Sequence, residues 1–135
     1  MFKKILAGMG GAIALNIIHE VIRKNFQNVP HINEVGQEAL VKTIKHTPIN
    51  ITGKENIYAT TLIGDIISNG LYYANTATKH NLASGIIAGT AAITLPKQIG
   101  LDDEPVAGNS KKMVMTVGYY IAGALITKFI YDNIK

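Results

Sequence analysis

Asp65 lies eight residues into an apolar stretch of the chain, and Asn69 follows it by one helical turn. An aspartate side chain is too short to reach a membrane surface from that depth. In hydrocarbon it needs a partner or it marks a working site. With Ser68 and Tyr72 at i+3 and i+7, these residues form one polar stripe on a helix. A second cluster, Asn16, His19 and Glu20, falls at i, i+3 and i+4 and shares a face within one turn. Histidine titrates near neutrality, so beside a carboxylate it suits proton handling. In a helical bundle the two clusters can meet, Asp65 facing Asn16, Glu20 or His19. The candidate polar seam or ion site is therefore Asn16, His19, Glu20, Asp65, Asn69 and Tyr72. The plainer reading is structural: the stripe is a packing seam, and His19 and Glu20, near Arg23 and Lys24, reach the membrane interface.

Other chemistry finds less support. His19, Glu20 and Asp65 are metal-ligand types, but they lack the Glu-x-x-His spacing of di-iron bundles, so no metal is expected. There is no Cys, hence no thiolate nucleophile, thiolate metal site or disulfide. The chain has no G-x-S-x-G, Walker loop, H-E-x-x-H or strand-linked G-x-G-x-x-G, so neither an enzyme nor a cofactor is indicated. Gly8, Gly10 and Gly11 sit inside an apolar helix and read as packing residues. The triplet Asp102, Asp103 and Glu104 before Pro105 reads as a solvated turn, with a hard-cation site as the alternative. Tyr119 sits within its apolar stretch, suited either to a membrane-interface belt or to donating its hydroxyl to the seam.

The elements that must position these residues are helical. Of 135 residues 47% are hydrophobic, but only 16% are charged, against the roughly 25% of soluble domains. The net charge is +4, yet Lys and Arg stand in ones and twos at segment ends. Nucleic-acid binding would gather them on one face, so no nucleic-acid partner is expected. Four apolar segments run over about 3–24, 56–77, 82–95 and 112–134. The first, with its body at 5–22, reaches about 27 Å at 1.5 Å per residue, close to the hydrocarbon thickness. The third is the shortest and is expected to be cut by Pro96. Met1-Phe2-Lys3-Lys4 before an apolar run resembles a signal peptide, but three glycines in 5–11 and an apolar pattern continuing to Ile22 favour an uncleaved first helix. Between the first two segments, Ile32, Val35, Ala39, Leu40 and Ile44 draw an amphipathic helix stopped by Pro48, packed on the others or lying along the membrane.

Small residues recur every four positions: Gly8 with Ala12, Gly10 with Ala14, Thr60 with Gly64 and Ser68, Ser84 with Ala88 and Ala92, Gly85 with Gly89, Gly118 with Ala122. Such faces let helices pack closely in lipid. With four spans, Lys3, Lys4, Lys79, Lys128 and Lys135 share one side. Arg23, Lys24, Lys42, Lys45, Lys54, Lys97, Lys111 and Lys112 share the other, which leans towards the long connections being cytoplasmic.

The runs Gly-Ala-Ile-Ala-Leu-Asn-Ile-Ile-His-Glu (11–20), Gly-Asp-Ile-Ile-Ser-Asn-Gly-Leu-Tyr-Tyr (64–73) and Leu-Pro-Lys-Gln-Ile-Gly-Leu-Asp-Asp-Glu-Pro (95–105) together resemble small polytopic membrane proteins of bacteria, of the Bacteroidetes type, that carry no assigned activity. The resemblance implies a helical protein of the bacterial inner membrane and supplies no functional residues. The expected architecture is all-α, a single domain over 1–135: a bundle of about four transmembrane helices plus one amphipathic connecting helix. The expected role is a small integral membrane protein of structural or accessory kind. Its partners would be the lipid bilayer and either a second copy or another membrane protein. The alternatives are a small proton or cation transporter or channel using the intramembrane acid, and a soluble helical bundle binding an apolar ligand.

Overall fold

Each apolar segment becomes one long helix in the computed structural model, which describes residues 1–135. The order is α1 (Phe2–Asn25), α2 (Ile32–Ile44), α3 (Lys54–Thr76), α4 (Asn81–Gln98), α5 (Glu104–Ala107) and α6 (Ser110–Ile134), with no strand. Local chemistry sets several ends. Arg23 and Lys24 occupy the last turn of α1, where cations complement the helix dipole. Asn109 caps α6, its side chain accepting from the Lys112 N–H at 3.0 Å. Pro96 does not cut α4 as expected. It sits in the last turn, so only the bond its N–H would have made to the Ala92 carbonyl is lost before the helix ends two residues further on. Gly100, at φ +85°, then stops it: the Leu101 N–H reaches the Pro96 carbonyl at 2.7 Å and the Gly100 N–H reaches that of Lys97 at 3.3 Å. That pair of bonds is a Schellman motif, and it requires the left-handed conformation glycine adopts freely. The short α5, expected only as a turn, has Pro105 in its first turn, where a missing N–H is harmless.

The long helices run alternately up and down and pack in the spatial order α3, α1, α6, α4. Gly8 of α1 lies against Gly70 and Ala74 of α3, while Gly11 lies against Gly123 and Thr127 of α6. Gly85 and Gly89 of α4 lie on Ile121 and Val117 of α6. These contacts place both chain ends and the α3–α4 turn at one end of the bundle, with α2, α5 and the longer connections at the other. Not every small-residue pair is used in packing: nothing approaches the Cβ position of Gly64 or Gly118 within 4 Å, and both face outward. A stripe of small residues marks a smooth surface, and whether a helix docks there depends on the rest of the chain.

The fold is an all-helical bundle, but two of its helices, not four, are long and apolar enough to cross a membrane by themselves, α1 and α6. Asp65, Ser68, Asn69 and Asn75 dilute α3, and α4 is an 18-residue helix that ends on Pro96, Lys97 and Gln98. Side chains are distributed large outside and small inside. Only 25 of 135 residues are buried, and the only aliphatic side chains larger than alanine among them are Leu15, Val29 and Val106. The rest of the interior is mostly Ala, Gly, Thr, Ser and Tyr. Ile13 and Ile17 on α1, Ile63 and Ile67 on α3, Ile86 and Ile87 on α4, and Leu125 and Phe129 on α6 all point outward.

The amphipathic connecting helix, α2, packs across the upper end of α3. Glu38 and Lys42 clamp the loop after α4: the Glu38 carboxylate accepts from the Asp102 N–H at 2.8 Å, and Lys42 Nζ donates to the Gly100 carbonyl at 2.7 Å. The backbone N–H of Asp102, then Lys42 at 3.1 Å, hold the Glu38 carboxyl below its usual range by stabilising the anion. The acidic triplet is a solvated turn, Asp102 accepting from the Glu104 N–H at 3.0 Å and Glu104 pairing with Lys112 at 3.2 Å.

Candidate functional site

Five of the six residues singled out in the sequence line one small cavity between α1, α2 and α3: Asn16, His19, Glu20, Asp65 and Asn69. The polar faces of α1 and α3 meet because glycines lower down, Gly8 and Gly70, bring the two backbones together. The sixth residue, Tyr72, is elsewhere. One turn below Asn69, its hydroxyl donates to the Ser84 carbonyl of α4 at 2.7 Å, joining α3 to α4 near their connecting turn. The cavity holds about 10 Å³, room for one water molecule. Two oxygens in its lining residues, Asn33 Oδ1 and Thr61 Oγ1, are buried without a protein partner.

The structure gives the ionisable members of this group different roles. Glu20 is engaged on its own helix: both oxygens meet Arg23, Nη2 at 2.6 Å and Nε at 3.2 Å, with Lys24 Nζ at 3.9 Å. His19 is 2% exposed, so it does not reach the interface as the plainer reading expected. Its Nε2 accepts the Ile32 N–H at 3.0 Å, tying the middle of α1's upper half to the first residue of α2. An imidazole that accepts there carries its proton on Nδ1, which lies 3.5 Å from Glu20. Tyr119 stacks edge-on against His19, ring centroids 6.0 Å apart; it is buried, so it lies in no interface belt, and its hydroxyl has no partner, so it does not join the seam either. Asn16 turns back on α1 and donates to the Ala12 carbonyl at 2.9 Å.

Asp65 alone has neither a hydrogen bond nor an ion pair. Its carboxylate lies between the small cavity and a much larger groove of about 600 Å³, and Asp65, Asn69 and Ile32 line both. Gly36 of α2 roofs the acid: a Cβ on Gly36 would stand 3.5 and 3.7 Å from its two oxygens. The groove exists because α3 and α4 touch near their connecting turn, through Tyr72, Thr76 and Ser84, and barely elsewhere. Its far wall is apolar, with Ala88, Ala91 and Leu95 of α4, and Tyr120 of α6 closes the back. No three His, Cys, Asp or Glu side chains converge anywhere in the molecule.

Residues outside the sequence-based set also belong to the site. Tyr58 stands beside Glu20 and Arg23, and Tyr120 lies against Asn69. Tyr58 and Thr61 precede Asp65 by seven and four residues, so extending the polar stripe upward would have found them. Asn33, Gly36 and Tyr120 come from other helices and left no local signal.

The His19 contact gives a direct expectation. His19→Ala leaves the Ile32 N–H without its acceptor and should cost about 1–3 kcal/mol. Hydrogen–deuterium exchange at Ile32 should quicken, whereas His19→Gln, which offers an oxygen acceptor, should keep most of the protection. Unchanged exchange in His19→Ala would mean the bond does not hold α2. No protein family, curated protein or solved structure matches this chain in comparisons with known proteins.

Proposed function

We propose that the protein is an integral membrane protein in which all four long helices, α1, α3, α4 and α6, cross the bilayer, and that its working part is the Asp65 wall of the groove. The observation that carries the membrane reading is the outward row of Ile, Leu and Phe on every long helix, around an interior of small and hydroxyl-bearing residues. A water-soluble bundle of this size would bury those side chains, because exposed contiguous apolar surface is unfavourable in water and neutral in lipid. The polar face of α3 turns towards the groove, and α4 closes the groove with an apolar wall, which is how a helix of modest hydropathy spans as part of a bundle. The excess of Lys and Arg at the α2 end sets that end in the cytoplasm, and the membrane is the inner membrane of a bacterial cell.

Carbonate washing of membranes tests this reading. The protein should stay in the pellet and leave it only with detergent. Release into the wash would overturn the membrane assignment and leave the soluble, ligand-binding bundle.

A purely structural or accessory role would have the polar seam consumed by packing. Glu20, His19 and Asn16 fit that description, each occupied by a protein partner. Asp65 does not, and this favours an ion- or ligand-handling site over a passive seam.

A further inference from the structure

The groove between α3 and α4 combines three features. It is large, its lining of 17 residues includes 12 hydrophobic ones, and its only acid, Asp65, is unpaired. Not one Lys, Arg or His is among those residues. At about 600 Å³ it lies within the roughly 300–1,000 Å³ of small-molecule sites. It opens sideways between helices whose outer faces are apolar, so a solute dissolved in the membrane can enter without crossing water. Two tyrosines also line the groove, Tyr72 on the acid's own helix and Tyr120 at the back, and aromatic faces attract cations. A carboxylate without a counter-charge facing an apolar wall is costly, and a cation arriving with its own apolar body removes that cost while covering the wall.

We propose that this groove binds a lipophilic monocation, an ammonium- or phosphonium-type centre carrying apolar groups, with Asp65 as its counter-ion and Tyr72 and Tyr120 against its charge. The proposal rests on the reading of the Asp65 wall as a working site. It does not depend on how many helices span.

Tetraphenylphosphonium and tetraphenylborate are nearly the same size and shape and opposite in charge, which separates charge recognition from simple partitioning. The full chain in detergent micelles, titrated calorimetrically, should bind the phosphonium saturably and the borate not at all. Because the chain has no Trp, the signal of its six Tyr gives a second readout. Asp65→Asn should weaken phosphonium binding by about tenfold or more, about 1.4 kcal/mol. It should keep its helical circular dichroism, since Asp65 has no partner to lose. Ala91→Phe narrows the opposite wall with the acid untouched and should weaken binding too, while Asp102→Asn, an acid outside the groove, should not.

Equal binding of both ions, or an unchanged affinity in Asp65→Asn, would overturn the inference. So would disulfide cross-linking between two copies carrying Ala92→Cys, on the α4 wall inside the groove, because a second copy would then fill it. Phosphonium binding by a carbonate-released protein would uphold the site and sink the membrane assignment. A membrane-retained protein that ignores the cation would do the reverse.

Discussion

Gly8→Leu should lose about 3 kcal/mol or more of stability, while Gly64→Ala, on a residue from the same kind of small-residue repeat, should gain up to about 1 kcal/mol. At Gly8 a Cβ would collide with the backbone carbonyl of Gly70 and stand 2.7 Å from the backbone nitrogen of Ala74. Backbone atoms cannot rotate aside, so α1 and α3 must separate, and the close-packed interface between them is lost with the cavity it frames. At Gly64 there is no atom within 4 Å, so an added methyl only removes glycine's conformational freedom in a helix. Reversible unfolding in mixed micelles, followed by circular dichroism, measures both. Similar stabilities for the two variants would mean that α1 and α3 are not in contact at Gly8.

Tyr73→Ala is expected to be the most damaging single truncation in the core, at about 3–5 kcal/mol. The side chain is fully buried and is the means by which α3 reaches α6: its ring packs on Gly123 and its hydroxyl donates to the Tyr120 carbonyl at 2.8 Å. Removing the ring leaves a void beside a glycine, which has no side chain with which to fill it. Tyr73→Phe keeps the ring and should lose only about 0.5–1.5 kcal/mol for the missing hydrogen bond. The same unfolding assay separates the two costs. A Tyr73→Phe loss as large as that of Tyr73→Ala would assign the residue's value to the hydroxyl instead of the ring.

How much of this was legible in the chain varies with the range of the interaction. The four long helices were readable because hydropathy and basic flanks are local, and the boundaries fall within a few residues of those expected. The meeting of Asn16, His19 and Glu20 with Asp65 and Asn69 was readable because polar groups at helical spacing on two helices have few places to go but towards one another. Tyr72 lines the groove with Asp65, Ser68 and Asn69, as its i+7 spacing implies, but it misses the small cavity because two turns below Asp65 the stripe faces α4 instead of α1. The depth of His19 was not readable, since its burial depends on α2 folding over it with an N–H to offer. Nor was the groove, which comes from α3 and α4 splaying apart after a shared lower contact, something no local pattern encodes. The four-span expectation was also too simple for hydropathy alone, because α3 carries the polar residues that line the groove and α4 is short and ends on Pro96, Lys97 and Gln98.

The spatial order α3, α1, α6, α4 means that α3 and α4, neighbours in the chain, are the pair that scarcely pack. During synthesis α3 emerges after its main partner, α1, and can dock at once. α4 emerges before its main partner, α6, and waits for that helix to be made. The Asp65 wall therefore exists well before the wall opposite it. A chain interrupted before α6 would present an unpaired acid on an open helix face, because the groove gains its second side only once α6 is made.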